Sequence, residues 1–209
     1  MIHRSRTAPR AFLLCMLLIS WPLAAQDTSG ESAAAFCSSC HGARGVSQNP
    51  MAPTLAGQPY TLIEDNLLAF RAGGRSCSPD RADGTPAALL AETMCNHVAG
   101  LSDDEIAELA AYFSSQQFVA ARQDFDPALA SRGSEIHQQA GCNRCHAEGG
   151  RVTLYMAPVL AGQWTPYLRR ALEAVNDGLR QGPKMMNGPI KQMDEDSMEA
   201  LLNFYASGQ

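Results

Sequence analysis

Cysteine and histidine stand in the spacing C-x-x-C-H twice in this 209-residue chain, as Cys37-Ser-Ser-Cys40-His41 and Cys142-Asn-Arg-Cys145-His146. Cysteines at i and i+3 share one helical turn, and a histidine at i+4 falls on the same face. Two thiols so placed form thioether bonds to the vinyl groups of one haem while the imidazole ligates its iron, the chemistry of c-type haem attachment. One copy is within reach of chance composition. Two copies, followed by the same downstream residues, predict a tandem protein with two covalently bound haem c.

The residues that must position these motifs repeat with them. A shift of 105 places lays Met51-Ala52-Pro53 on Met156-Ala157-Pro158 and Leu55-Ala56-Gly57-Gln58 on Leu160-Ala161-Gly162-Gln163. Ile63, Leu67 and Phe70 then meet Leu168, Leu172 and Val175, an i, i+4, i+7 apolar stripe that predicts a helix in each half, closed by Gly73 and Gly178. Ser102-Asp103-Asp104-Glu105 reads as a capping box opening a terminal helix with Ile106, Leu109, Ala110 and Phe113 on one face. Met198, Leu201, Leu202 and Tyr205 repeat that face at an offset of 92, so half one carries 13 extra residues between Arg75 and its last helix. A period near 100 residues means two domains, 26–117 and 127–209, joined by a linker at 118–126 with Pro127 opening the next helix. Each is small for a self-sufficient core, and a buried haem supplies apolar surface for short helices to pack around. The expected fold class is all-α, with strands essentially absent.

A haem that only transfers electrons needs a second axial ligand beside histidine, and methionine raises its potential. Met51 follows His41 closely and neighbours Pro53, which puts it on the histidine side; Met94 precedes the terminal helix by a short loop and reaches the opposite face. At the offset of 92, Met94 corresponds to Met186, with Met185 the adjacent alternative. His97 is a further candidate in half one, but Pro189 stands at the equivalent place in half two. His137 reads as an ordinary helix-face histidine. The expected metal ligands are therefore His41 and Met94 for one iron and His146 and Met186 for the other. Matched methionines leave neither iron the open position a haem peroxidase needs, so no catalytic site is expected. The backbone near Pro53 and Pro158 offers carbonyls to the Nδ1–H of the ligating histidines. Arg75 and Arg180 stand either as partners of haem propionates or as solvated surface arginines. Cys77 and Cys95 flank the insertion, and a disulfide between them would pin the loop beside Met94.

Residues 1–25 read as an export signal: Arg4, Arg6 and Arg10, an apolar run from Ala11 to Leu23, then Ala24-Ala25 for cleavage. The run falls short of the ~20 residues of a spanning helix, so no stable membrane span is expected after cleavage. Export places the protein in the periplasm, where covalent haem attachment and disulfides belong. Removing residues 1–25 takes away three arginines and no acids, leaving 13 basic against 21 acidic residues and a charge of −8. Residues 26–122 hold five basic and eleven acidic residues, and 123–209 hold eight and ten. Such a balance excludes nucleic-acid binding, and its asymmetry is of the kind that orients a redox partner at encounter.

At these residues the chain resembles the dihaem cytochrome c4 family and, within it, the haem subunit of flavocytochrome c sulfide dehydrogenase. The paired C-x-x-C-H and M-A-P-x-L-A-G-Q segments carry the family likeness. The subgroup likeness rests on half two: Phe125-Asp126, the Ala128–Ala130 run, His146-Ala147-Glu148-Gly149-Gly150, Leu160-Ala161-Gly162-Gln163-Trp164-Thr165-Pro166-Tyr167-Leu168 and the closing Phe204-Tyr205-Ala206-Ser207. Half one, with its Cys77–Cys95 insertion, is more similar to free members of the family. The resemblance implies two tandem class I cytochrome c domains, haems facing each other across an interface, and His/Met ligation at both irons, with Met94 and Met186 at the ligand positions. It implies two kinds of partner: a sulfide-oxidising flavoprotein subunit, whose two-electron step two haems would take in turn, or, for a free carrier, a terminal oxidase, another reductase or a soluble cytochrome.

Overall fold

The computed structural model describes residues 29–75, 94–154, 156–180 and 182–208. The expected signal at 1–25 and Cys77 lie outside the described residues. Among the described residues the helices of eight residues or more are, in order, α1 Ser29–His41, α2 Tyr60–Arg71, α3 Asp103–Ser114, α4 Pro127–Gln139, α5 Thr165–Asn176, α6 Lys184–Lys191 and α7 Glu195–Ala206, with a short helical turn at Ala147–Gly150. A helical turn at 94–98 precedes α3. Extended structure among the described residues amounts to the pair Val152–Thr153 and isolated bridges.

Local chemistry sets the helix ends. Ser102 accepts the Glu105 N–H, and the Glu105 carboxylate accepts the Ser102 N–H in return, the reciprocal capping box that opens α3. Asp126 accepts the N–H groups of Ala128 and Leu129 with Pro127 at the first helical position, and Asp194 caps α7 through Ser197. Gly73 and Gly178, at φ 72° and 74°, turn the chain out of α2 and α5. The terminal helices supply the cores. Leu109, Ala110 and Phe113 pack with Ala34 and Ile63 in half one; Met198, Leu201, Leu202 and Tyr205 pack with Leu168 in half two.

The halves do not share one register throughout. Gly30 faces the Glu108 carbonyl and Tyr112 Cβ, where a Cβ would stand 3.2 Å from each, and Gly133 faces Ala200 and Phe204 in the same way. Glu108 and Tyr112 map to Ala200 and Phe204 at the offset of 92, so Gly30 is the counterpart of Gly133 at a shift of 103, not 105. Half two therefore has two more residues between Gly133 and Cys142 than half one has between Gly30 and Cys37. Their effect is local: α1 runs through Cys37 and Cys40 to His41, whereas α4 stops at Gln139. Gly141 is left-handed at φ 72°, and Cys142–Arg144 form a 3₁₀ turn. The second motif thus departs from the α-helical turn expected of it.

The halves meet through a pseudo-two-fold seam. Gln58 accepts the Val159 N–H at 3.0 Å and donates to the Val159 carbonyl at 3.3 Å. Gln163 accepts the Thr54 N–H at 2.9 Å and donates to the Thr54 carbonyl at 3.0 Å. All four residues are buried. The Trp164 indole N–H donates to the Ser47 carbonyl and Arg170 to the Met51 carbonyl, both across the seam. A glutamine side chain carries one acceptor and one donor, so it satisfies a peptide unit of the other half as a paired strand would.

Candidate functional site

One continuous cavity of about 1700 Å³ runs across the seam and is lined from both halves. Both C-x-x-C-H motifs, Met94 and Met186 all line it. Leu62, Leu67, Phe70, Leu172, Val175 and Ile190 give it apolar walls. On the α2 and α5 stripes Ile63, Leu168 and Val175 are buried and Leu67, Phe70 and Leu172 half-buried, and all six line the cavity.

His41 and His146 are 7% and 6% exposed. His41 Nδ1 lies 2.8 Å from the Pro53 carbonyl and His146 Nδ1 lies 3.1 Å from that of Pro158. A carbonyl only accepts, so Nδ1 carries the proton in each ring and Nε2 is left with a lone pair that a metal can take. Burial holds both rings below the ordinary histidine range, against the opposing pull of these bonds; at His146 the neighbouring His137 lowers it further. Neutral imidazole is the ligating form. Cys37, Cys40, Cys142 and Cys145 are free thiols, and burial raises Cys37 and Cys142 above the ordinary thiol range.

Met186 is half-buried, whereas Met185 is 68% exposed. Met94 is half-buried at the start of the 94–98 turn. His97 is exposed and packs edge-on against Phe36, ring centroids 4.7 Å apart. Cys95 does not stand as a free thiol.

Arg75 and Arg180 pair as an antiparallel bridge between the halves. Arg75 donates to Asn66 at 2.9 Å and lies 4.1 Å over the Phe70 ring. Burial, with Arg180 beside it, lowers Arg75 to about 10. Burial of Tyr167 pushes its phenol up, but Arg180 and Arg75 outweigh it and the net shift is down. Two guanidiniums meeting over one phenol at an apolar cavity is an arrangement that carboxylates would relieve.

Sequence reasoning missed two groups. Gln58 and Gln163 were visible as repeated residues, but only the seam shows what a repeated buried glutamine does. His137, expected as an ordinary helix-face histidine, is 0% exposed: its Nδ1 lies 3.0 Å from the Tyr205 hydroxyl and its Nε2 lies 3.0 Å from the His146 carbonyl. Burial lowers His137 below its ordinary value, against the bond to His146.

Four free thiols in the attachment spacing, two histidines held by Nδ1 and a shared apolar cavity fit a haem in each half. The fold and this paired site define an all-α protein of two tandem class I cytochrome c domains. Residues 29–117 match the family model for cytochrome c. The chain is 31% identical over 206 residues to cytochrome c4 of Stutzerimonas stutzeri, covering 93% of this chain and 95% of the relative. It is 30% identical over 222 residues to the thiosulfate dehydrogenase electron acceptor of Stutzerimonas stutzeri strain A1501, covering 92% and 96%. The crystal structure of reduced recombinant cytochrome c4 from Pseudomonas stutzeri matches with a TM-score of 0.70 at 31% identity, over 85% of this chain and 96% of that one. The chain belongs to the cytochrome c4 family. It is a dihaem electron-transfer cytochrome with two covalently bound haem c.

Proposed function

We propose that the protein is a free periplasmic carrier that takes electrons one at a time from a sulfur-compound dehydrogenase and passes them to a terminal oxidase or another cytochrome. The carrying observation is the cavity that brings both attachment motifs and, among six methionines, Met94 and Met186 into one apolar space across the seam. In this reading Cys37 and Cys40 attach one haem, ligated by His41 and Met94; Cys142 and Cys145 attach the other, ligated by His146 and Met186. The exposure of Met185 favours Met186 as the ligand. Bound haem supplies one-electron redox chemistry. The chain's part is to hold Nδ1 of each histidine on a proline carbonyl, keep water from the irons and set Arg75 and Arg180 to receive the propionates. Domains 26–117 and 127–209, linker 118–126, the signal at 1–25 and a Cys77–Cys95 bridge complete the reading.

The relative named for accepting electrons from thiosulfate dehydrogenase supports a sulfur-compound donor. A second reading, the haem subunit of a sulfide-oxidising flavoprotein, rests on the half-two segment Leu160–Leu168. Purification from cells grown on reduced sulfur compounds separates the two. A monomer reduced rapidly by a thiosulfate dehydrogenase and unable to retain a flavoprotein on gel filtration supports the free carrier. A stable flavoprotein complex whose haems are reduced by sulfide overturns it.

A further inference from the structure

His146 lines the cavity, whereas His137 lies behind it. His137 is fully buried on α4, between the terminal helix and the second attachment motif. The His146 carbonyl 3.0 Å from Nε2 only accepts, so Nε2 carries the His137 proton and donates it. Nδ1 of the neutral ring is then an acceptor, and the Tyr205 hydroxyl at 3.0 Å is its donor. The chain of bonds runs from Tyr205 through His137 to the backbone of the second iron-ligating histidine.

Among the described residues of half one the matching positions are apolar. The glycine contacts make Gly30 the counterpart of Gly133, which places Ala34 where His137 stands, and the terminal helices place Phe113 where Tyr205 stands. Ala34 and Phe113 are each 1% exposed and belong to one apolar cluster. The difference has a local cause. In half one α1 continues to His41, and the Gly42 N–H closes on the Ser38 carbonyl at 2.9 Å in helical register. In half two the two extra residues end α4 early, and His146 leaves a 3₁₀ turn at φ −103°, ψ 69°. The segment that has lost its helical turn is held instead by antiparallel bridges of His146 to Thr153 and Ala147 to Val152, and at the His146 carbonyl by His137.

We propose that His137 is a positioning residue for His146, acting on the ligand's backbone carbonyl in relay with Tyr205, and that this relay makes the second haem site unlike the first. The proposal rests on the reading of His146 as an iron ligand. It adds that the His146 ring is held by Pro158 and its carbonyl by His137, beside the bridge to Thr153, where His41 is held by Pro53 and its own helix.

The test uses the exported, haem-loaded protein. Intact mass first establishes that parent, His137→Leu and His137→Gln each carry two haems. A parent lacking the second haem would sink the ligand reading itself, separately from the relay. Spectroelectrochemical titration and NMR of the haem methyl groups then read each site. With leucine, the potential and methyl shifts of haem two should move while those of haem one stay. Glutamine, whose amide N–H can donate to the same carbonyl, should bring haem two back toward the parent. Unmoved haem-two signals in His137→Leu, or equal displacement by leucine and glutamine, would overturn the proposal. Where the leucine variant fails to fold, the ring ¹⁵N shifts of His137 in the parent decide. A proton on Nε2 with Nδ1 accepting is expected, and the opposite tautomer overturns the relay.

Discussion

Replacing Gln163 by alanine removes one half of the clasp between the domains. Gln163 takes the Thr54 N–H at 2.9 Å and donates to the Thr54 carbonyl at 3.0 Å. Thr54 is 1% and Gln163 2% exposed, so alanine strands a donor and an acceptor of Thr54 where water enters poorly, while the half-buried Trp164 N–H loses its 3.2 Å bond to the same amide oxygen. Each buried group left without a partner costs about 1–3 kcal/mol, which brackets the pair at about 2–6 kcal/mol. The space vacated by the amide admits a bridging water, so the lower part of that range, about 2–3 kcal/mol, is expected. Urea unfolding of the haem-loaded protein, followed by haem absorbance, measures it. Gln58→Ala removes the mirror pair with Val159 and should lose a similar amount, and the double variant should lose less than the sum, because the first breach already wets the seam. Gln163→Glu sharpens the test. A carboxylate accepts the Thr54 N–H but faces the Thr54 carbonyl as a second acceptor, whereas the neutral acid keeps both bonds. Its folded pKa is therefore raised above the unfolded value. The variant should be most stable in acid and lose stability as pH rises from the unfolded carboxyl value to the raised one. A Gln163→Ala loss below about 0.5 kcal/mol, or a Gln163→Glu variant with no such decline, would refute the reasoning.

Met94→Ala and Met186→Ala should each open one iron, seen as carbon monoxide binding to the reduced protein and loss of about half the Met–iron(III) charge-transfer band; Met185→Ala should change neither. Gly133→Ala should destabilise half two by about 3 kcal/mol or more in urea unfolding, because its Cβ would overlap the Ala200 carbonyl oxygen and stand 2.7 Å from Phe204 Cβ. Ser102→Ala should cost about 1 kcal/mol by loss of the helix cap. In the parent, the Ser102 backbone and side chain hold the Glu105 carboxyl below its ordinary value, so its contribution should fade as pH falls through that depressed value. Non-reducing peptide mapping should find Cys77 joined to Cys95, and two free thiols would exclude the bridge.

Much of the fold is written in periodicity that local physics enforces. The stripes Ile106-Leu109-Ala110-Phe113 and Met198-Leu201-Leu202-Tyr205 are buried because each is one face of a helix with no other place to put apolar surface. The box at Ser102 forms because side chain and backbone lie within three residues of each other. The prolines that hold Nδ1 of both histidines were legible because they repeat at a constant distance from the motif. What escaped depends on contacts across the chain. The two-residue offset upstream of Cys142 lies in segments without matching residues, and only the close approach of Gly30 and Gly133 to the terminal helices exposes it. His137 looked like an ordinary helix-face histidine because helical periodicity cannot say that a polar group has a buried partner 68 residues away. The clasp by Gln58 and Gln163 joins residues 101 and 109 places apart, beyond the reach of any local pattern.

Intact mass of the exported protein under denaturing conditions, followed by peptide mapping, tests the central claim most directly. The account predicts a chain beginning after Ala25 that keeps two haems through acidified-acetone extraction, one on the peptide bearing Cys37 and Cys40 and one on that bearing Cys142 and Cys145. A chain that retains one haem, or releases both to the solvent, would contradict it.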